Sequence, residues 1–297
     1  MKLERVALVG YGEVGRILAE DLRPQGIAIS AYDLKQDAVP AMRQHGAGLG
    51  VAFCASHAAL AAGADLVVSA VTASQSESVA AACAKGMRRG AWFLDFNSCS
   101  PGAKQRAGAV VDAAGGRYVE GAVMTSVPPK RLKVPLLLGG SGARDLQPLL
   151  NALGFAAEVA SDRLGVASAT KMCRSVMIKG LEAMVIESFT TARFHGVEDQ
   201  VLASLKETYP GIDWEKEGSY FFQRVIQHGR RRAEEVREVA ETVREAGLTP
   251  WSASGTAERQ SWVADLADDG LFGDKAAPRG DWRAEADRIL AATKKRG

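Results

Sequence analysis

Arg5-Val6-Ala7-Leu8-Val9-Gly10-Tyr11-Gly12-Glu13-Val14-Gly15 joins a short apolar run to three glycines spaced G-x-G-x-x-G. Residues 5–10 predict a buried strand. Residues 14–23 predict the helix that follows it, with Val14, Ile17, Leu18 and Leu22 on one face. A strand that runs through such a loop into a helix opens a βαβ unit of the kind that binds dinucleotides. The chemistry explains the glycines: Gly10 makes the tight turn, Gly12 lets the backbone approach a pyrophosphate, and Gly15 lets the helix pack close to the strand. The helix N-terminus then offers unpaired N–H groups to the anion. Gly10, Tyr11, Gly12, Glu13, Val14 and Gly15 are therefore the first candidate cofactor-binding residues. Asp33 follows at the end of a second expected strand, 27–32, and is 18 residues beyond Gly15. A carboxylate there suits the adenosine ribose 2′-OH and repels a 2′-phosphate, which favours NAD. Lys35, two residues on, could receive a phosphate and keeps NADP open.

The alternation continues outward from this unit. Apolar runs at 65–71 and 92–96 predict further strands, with helix-favouring stretches at 78–85 and 103–114 between and after them. Shorter strands are expected at 118–123, 134–138 and 155–159, and Val127-Pro128-Pro129 must be a turn or loop. Continuous apolar strands alternating with helices imply a parallel sheet covered on both faces, an α/β Rossmann arrangement. The character changes near Arg163. Residues 165–195 predict one long helix, with Val166, Met177, Leu181, Met184, Val185 and Phe189 at helical spacing and Gly196 as its stop. Helical patterns alone follow, at 214–246, 257–268 and 281–294. Arg230, Arg231 and Arg237 against Glu234 and Glu238 suggest ion pairs along a solvated face. The expected division is a dinucleotide-binding Rossmann domain, 1–163, and an all-α substrate and dimerisation domain, 164–297, joined by the long interdomain helix.

Composition narrows the class. The chain has 297 residues, 47% hydrophobic and 24% charged, which is a globular balance at about two domain lengths. Its 37 basic and 35 acidic residues leave a net charge of +2, without the bulk basicity of a nucleic-acid or anionic-membrane binder. No apolar run approaches the ~18 residues of a membrane span, and the opening Met1-Lys2-Leu3-Glu4-Arg5 lacks a signal-peptide layout. Cys54, Cys83, Cys99 and Cys173 form no C-x-x-C pair, and the four histidines do not cluster. A cytoplasmic protein with reduced thiols and no metal site is expected.

Three further stretches carry polar groups in a telling order. Val71-Thr72 and Asp95-Phe96-Asn97-Ser98-Cys99-Ser100-Pro101 follow expected strands, at the carboxyl edge where open α/β sheets bind ligands. Glu120-Gly121-Ala122-Val123-Met124-Thr125-Ser126 comes next, and Gly165-Val166-Ala167-Ser168-Ala169-Thr170-Lys171 opens the long helix. Together with the glycine loop these resemble the β-hydroxyacid dehydrogenase superfamily, the relatives of 3-hydroxyisobutyrate and 6-phosphogluconate dehydrogenases. The order and spacing match over about the first 180 residues. The run from His228 through Glu234 resembles a subgroup with a phosphogluconate-dehydrogenase-like C-terminal domain of unsettled function.

The resemblance implies roles. Gly10, Gly12, Gly15 and Asp33 would hold the dinucleotide, Val71 and Thr72 would line the nicotinamide side, and Asn97 would contact the nicotinamide ribose. Lys171 would be the acid/base. Two positions depart from the family pattern: Met124-Thr125-Ser126 stands where the family has S-G-G, and Ser175 stands where it has Asn. Both changes imply an altered substrate rather than a lost cofactor. A lysine in apolar surroundings is a usable base near neutral pH, and Val166, Ala167, Ala169 and Met172 supply them. Helical spacing puts Lys171, Ser175 and Lys179 on one face. Lys179 either binds a substrate anion or lies on the helix surface, and His228 either closes the substrate pocket or packs in the helix. Cys99 reads as a small packing thiol, and Trp214, Tyr220, Phe221 and Phe222 as core or interface. The expected activity is reversible hydride transfer between NAD, with NADP possible, and a hydroxy-acid-type alcohol, in a homodimer. The alternatives are an imine reductase of the same architecture, against which Lys171 argues, and a non-catalytic dinucleotide-binding module.

Overall fold

The computed structural model describes residues 2–278 and 280–294. It divides into two compact units, Met1–Met172 and Cys173–Gly297. The first unit holds an eight-stranded sheet in the order β3-β2-β1-β4-β5-β6-β7-β8. Its strands are β1 (Arg5–Val9), β2 (Ala28–Tyr32), β3 (Ala52–Phe53), β4 (Leu66–Ser69), β5 (Trp92–Asp95), β6 (Arg117–Val123), β7 (Pro135–Gly139) and β8 (Ala156–Ser161). The helices between them are α1 (Glu13–Leu22), α2 (Pro40–Gly48), α3 (His57–Ala62), α4 (Ser76–Ala84), α5 (Pro101–Ala113) and α6 (Ala143–Ala152).

The strands are apolar throughout because both faces of the sheet are covered. Val6, Leu8, Leu66, Val68, Leu94 and Val119 belong to one core, packed with Ile17, Leu18 and Leu22 of α1 and Leu146 and Leu150 of α6. The alternate residues Ala7, Val9, Val67, Phe93 and Tyr118 belong to the other, with Leu60 of α3, Val79 of α4 and Val111 of α5. Every neighbouring pair is parallel except β6–β7, which is antiparallel. Only residues 124–134 connect those two strands, and a parallel crossover needs a dozen or more residues.

α7 (Val166–His195) begins in the first unit and continues into the second. The expected division at 163/164 lies in the short connection between β8 and α7. The second unit contains the rest of α7 with α8 (Glu198–Thr208), α9 (Trp214–Glu245), α10 (Trp251–Asp268) and α11 (Trp282–Lys294). Its core gathers Ile186, Phe189, Phe222, Val225, Val263 and Trp282. The charges of α9 pair differently from the expectation along the helix. Arg231 does meet Glu235 at i,i+4, but Arg230 reaches across to Asp265 and Asp268 of α10, and Arg232 is buried against Glu182 of α7.

Five elements fall outside the expected set: β3, α2, α3, α6 and α8. β3 has two residues, and α2 buries only Met42 and Gly46, so neither leaves a periodic pattern. α3 spans six residues and is set by its cap, Ser56 Oγ accepting from Ala59 N at 3.1 Å. No described helix is long and apolar enough to cross a membrane.

Candidate active site

The glycine loop lies between β1 and α1. Gly10 has φ +88°, and a Cβ there would sit 2.5 Å from the Ala70 carbonyl oxygen. A Cβ on Gly15 would sit 2.2 Å from the Gly10 carbonyl oxygen, so the helix can approach the loop only without a side chain. Gly12 differs: a Cβ there meets nothing within 4 Å. It forms the N-cap of α1 with no side-chain cap over the first-turn N–H groups. Open space above uncapped helix N–H groups fits a pyrophosphate. The side chain of Tyr11 belongs to the core. Its ring is buried edge-on to Phe53, and its hydroxyl lies 3.2 Å from His45 Nδ1. Glu13 is exposed and Val14 half-buried.

Asp33 is fixed by two backbone donors. Tyr11 N donates to Oδ2 and Lys35 N to Oδ1, both at 2.8 Å. The first bond ties the end of β2 to the glycine loop. Beside it lies a cleft of about 300 Å³ lined by Asp33, Leu34, Asp37, Arg43 and Phe53. A glycine loop and a fixed carboxylate at a cleft are the parts that hold a dinucleotide's pyrophosphate and adenosine ribose.

The carboxyl ends of β4 and β5 are joined by a buried polar network. Asp95 accepts from Ser76 Oγ at 2.8 Å, Tyr118 OH at 2.7 Å and Asn97 N at 2.8 Å, and Lys104 Nζ lies 3.0 Å from its Oδ1. Burial raises the Tyr118 phenol well above its usual value, and the Asp95 charge adds to this. Asn97 Oδ1 accepts from Val71 N at 2.7 Å, and its Nδ2 donates to Ser69 Oγ at 3.0 Å. Asn97 is itself buried, and its side chain holds Val71 at the strand ends. Thr72 is exposed and Val71 half-buried at the same edge. Cys99 is buried, with Sγ 3.5 Å from the Ala73 carbonyl oxygen, as a packing thiol.

Lys171 is half-buried in the second turn of α7, and its Nζ donates to Ser98 Oγ at 2.6 Å. The helix start is anchored by Glu120 of β6, which is fully buried. Its Oε1 accepts from Gly165 N at 2.8 Å and Ala167 N at 3.1 Å, and its Oε2 from Ser168 N at 3.3 Å. A carboxylate at a helix N-terminus satisfies orphan donors and opposes the helix dipole favourably. Met124 is half-buried, Thr125 exposed and Ser126 half-buried in the loop after β6.

In the second unit Ser175 is buried. Lys179 is buried too, and its Nζ pairs with Glu235 at 2.8 Å, so neither surface exposure nor an open anion site describes it. Burial lowers its pKa, and Glu235 partly offsets that. Glu182 takes Arg232 Nε at 3.0 Å and Gln260 Nε2 at 3.2 Å beside it. His228 is half-buried, and its pKa falls to about 4, first from burial and then from Arg224, Arg231 and Arg232. Among the described residues no group of three or more His, Cys, Asp or Glu could hold a metal ion.

Two residues enter from the structure alone. Ser98 and Glu120 both lie in stretches that the sequence singles out, but their partners are 73 and 45–48 residues away. A hydroxyl beside Asn97 was the only local signal for Ser98.

Residues 5–159 match the family model described as the NAD binding domain of 6-phosphogluconate dehydrogenase, and residues 192–263 match a domain of unknown function, DUF1932. The chain is similar to a conserved hypothetical protein of Sinorhizobium meliloti of solved structure, with 35% identity over 97% of this chain and 96% of that one and a TM-score of 0.77. A second solved structure, of a conserved protein of unknown function with structural similarity to 3-hydroxyacid dehydrogenases, is 27% identical over 89% of this chain and 99% of that one, with a TM-score of 0.69. An uncharacterised 28.5 kDa protein of Methanothermus fervidus is 27% identical, covering 83% of this chain and 93% of its own length.

Proposed function

The chain belongs to the β-hydroxyacid dehydrogenase superfamily, with the NAD binding domain of 6-phosphogluconate dehydrogenase in its first half, and as an NAD(P)-dependent oxidoreductase of that family we propose that it acts on the alcohol carbon of a hydroxy-acid-type substrate. NAD(P), when bound, accepts or returns the hydride. The chain's own part is the proton. Lys171 Nζ takes it from the alcohol oxygen in oxidation and returns it in reduction. The observation that carries this reading is the 2.6 Å contact between Lys171 Nζ and Ser98 Oγ. It aims the amine at the carboxyl edge of β5, on the loop that follows Asp95. Ser98 positions Lys171, and the Asp95–Asn97 network holds that loop rigid. Thr125 and Ser126 in the loop after β6 supply hydroxyls for the substrate where the family has S-G-G. A homodimer in the cytoplasm completes the proposal. The exposed Met177, Met184 and Trp251 of the second unit support the dimer, and sedimentation equilibrium tests it.

The test of the chemistry is Lys171→Ala, assayed on a panel of alkyl and aryl hydroxy acids with NAD+ and with NADP+. An acid/base group contributes about 10²–10⁴-fold, so kcat should fall by at least about a hundredfold while cofactor affinity holds. Full activity in the variant overturns the assignment. Turnover of imines, with none of any hydroxy acid, would move the protein to the imine reductase reading.

A further inference from the structure

The cleft beside Asp33 contains a second carboxylate and a guanidinium whose pairing bears on which dinucleotide enters. Asp37 lies on the turn after β2, and that turn is closed by Gln36 N donating to Asp33 O and Ala38 N to Lys35 O, each at 3.0 Å. Gln36 is buried, and its Nε2 donates to Cys54 O at 3.0 Å, which ties the turn to the chain just after β3. Arg43 comes from α2, with its guanidinium 5.4 Å from the Phe53 ring centre. Its Nε donates to Asp37 Oδ1 at 2.9 Å, and its Nη2 donates to the same oxygen. Asp33, Asp37 and Arg43 all line the cleft. Two carboxylates and one guanidinium leave it with one net negative charge.

The two cofactors differ at this end by one phosphate on the adenosine ribose. A 2′-phosphate needs an available guanidinium or ammonium, and planar bidentate recognition makes arginine the better partner. Arg43 is the arginine at the cleft, and Asp37 already engages two of its donors. We propose that Asp37 is a second determinant of dinucleotide choice, acting through Arg43: it holds the guanidinium on itself and so withholds it from a 2′-phosphate. Asp33 opposes the phosphate by direct repulsion, and Asp37 opposes it by occupying its natural partner. Asp37 is therefore a positioning residue. The inference rests on the NAD preference assigned to Asp33, and the two are separable by experiment.

Dissociation constants for NAD+ and NADP+ are measured by calorimetry at low ionic strength, where exposed charges are least screened, on the wild type, Asp37→Ser, Asp37→Ser/Arg43→Gln and Asp37→Ser/Lys35→Gln. In Asp37→Ser the NADP+ constant should drop relative to that of NAD+ by about threefold to tenfold, the scale of one released charge-assisted contact. Arg43→Gln in that background should abolish the gain, and Lys35→Gln should leave it. The gain should also shrink as salt is added. An unchanged ratio in Asp37→Ser, or a gain that survives removal of Arg43, overturns the proposal. A wild type that binds NADP+ more tightly than NAD+ overturns the Asp33 reading instead, and the dependence of the Asp37→Ser effect on Arg43 still judges Asp37 by itself.

Discussion

Glu120 offers the sharpest test of how Lys171, the proposed acid/base, is held. Its carboxylate accepts three backbone N–H groups at the start of α7, at 2.8, 3.1 and 3.3 Å, and no part of it reaches solvent. In Glu120→Ala those three donors lose their acceptor. A hydrogen bond to a charged group contributes about 1.5–3 kcal/mol, but the three share two oxygens and the longest is weak. The expected loss is about 3–5 kcal/mol, in line with removing one partner of a buried charged contact. Glu120→Gln should cost less. An amide oxygen at the Oε1 position keeps Gly165 and Ala167, and only the Ser168 bond is exchanged for a donor facing a donor. About 1–2 kcal/mol is expected. The assay is amide hydrogen exchange at Gly165, Ala167 and Ser168 together with urea melts. Protection at those three amides should fall strongly in the Ala variant and at Ser168 first in the Gln variant. Lys171 follows this cap by three residues, so a loosened helix start moves its amine. A shift of about 1 Å can cost on the order of a hundredfold in rate, and kcat should drop in the order wild type, Gln, Ala. Unchanged protection in Glu120→Ala, or full activity with the cap lost, refutes the reasoning.

The glycine loop separates binding from folding. Gly12→Ala places its methyl in open space, so stability should stay within about 0.5 kcal/mol while NAD+ affinity falls at least about tenfold; equal loss of both in urea melts and calorimetry contradicts this. Gly15→Ala drives a methyl to 2.2 Å from the Gly10 carbonyl oxygen and should lose about 1–3 kcal/mol of stability as well. His228 should stay neutral down to about pH 5, because burial and then Arg224, Arg231 and Arg232 hold its pKa at about 4. With the folded pKa below the ordinary 6.5, its contribution to stability is present above about pH 6.5 and is lost as the pH falls toward 4. An NMR titration showing a midpoint near 6.5 for this imidazole would rule that out.

Much of the first unit was legible because its signals are local. A strand, a glycine loop and a helix occupy consecutive residues, and the two-sided burial of the sheet writes an apolar run at each central strand. The candidates Lys171, Asp33 and the loop after β6 likewise stand out in short stretches. The weak elements could not. β3 is too short, and α2 too sparsely buried, for periodicity to register. The buried ion pairs are hidden for a related reason: nothing local to Lys179 or Arg232 names Glu235 or Glu182 as its partner, and only the packed helices bring each pair together.

The sequence by itself determined the class of ligand and the order of elements, since a pyrophosphate loop needs glycine at set spacings and a parallel sheet needs strands alternating with helices. The tertiary structure decided which groups meet. Ser98 with Lys171, Glu120 with the start of α7, and Asn97 with Val71 are contacts between residues 26–73 positions apart. The fold also made Asn97 a brace for Val71, and committed Arg43 to Asp37. Such pairings depend on where side chains lie in three dimensions once the backbone has closed on itself, and no stretch of adjacent residues encodes them.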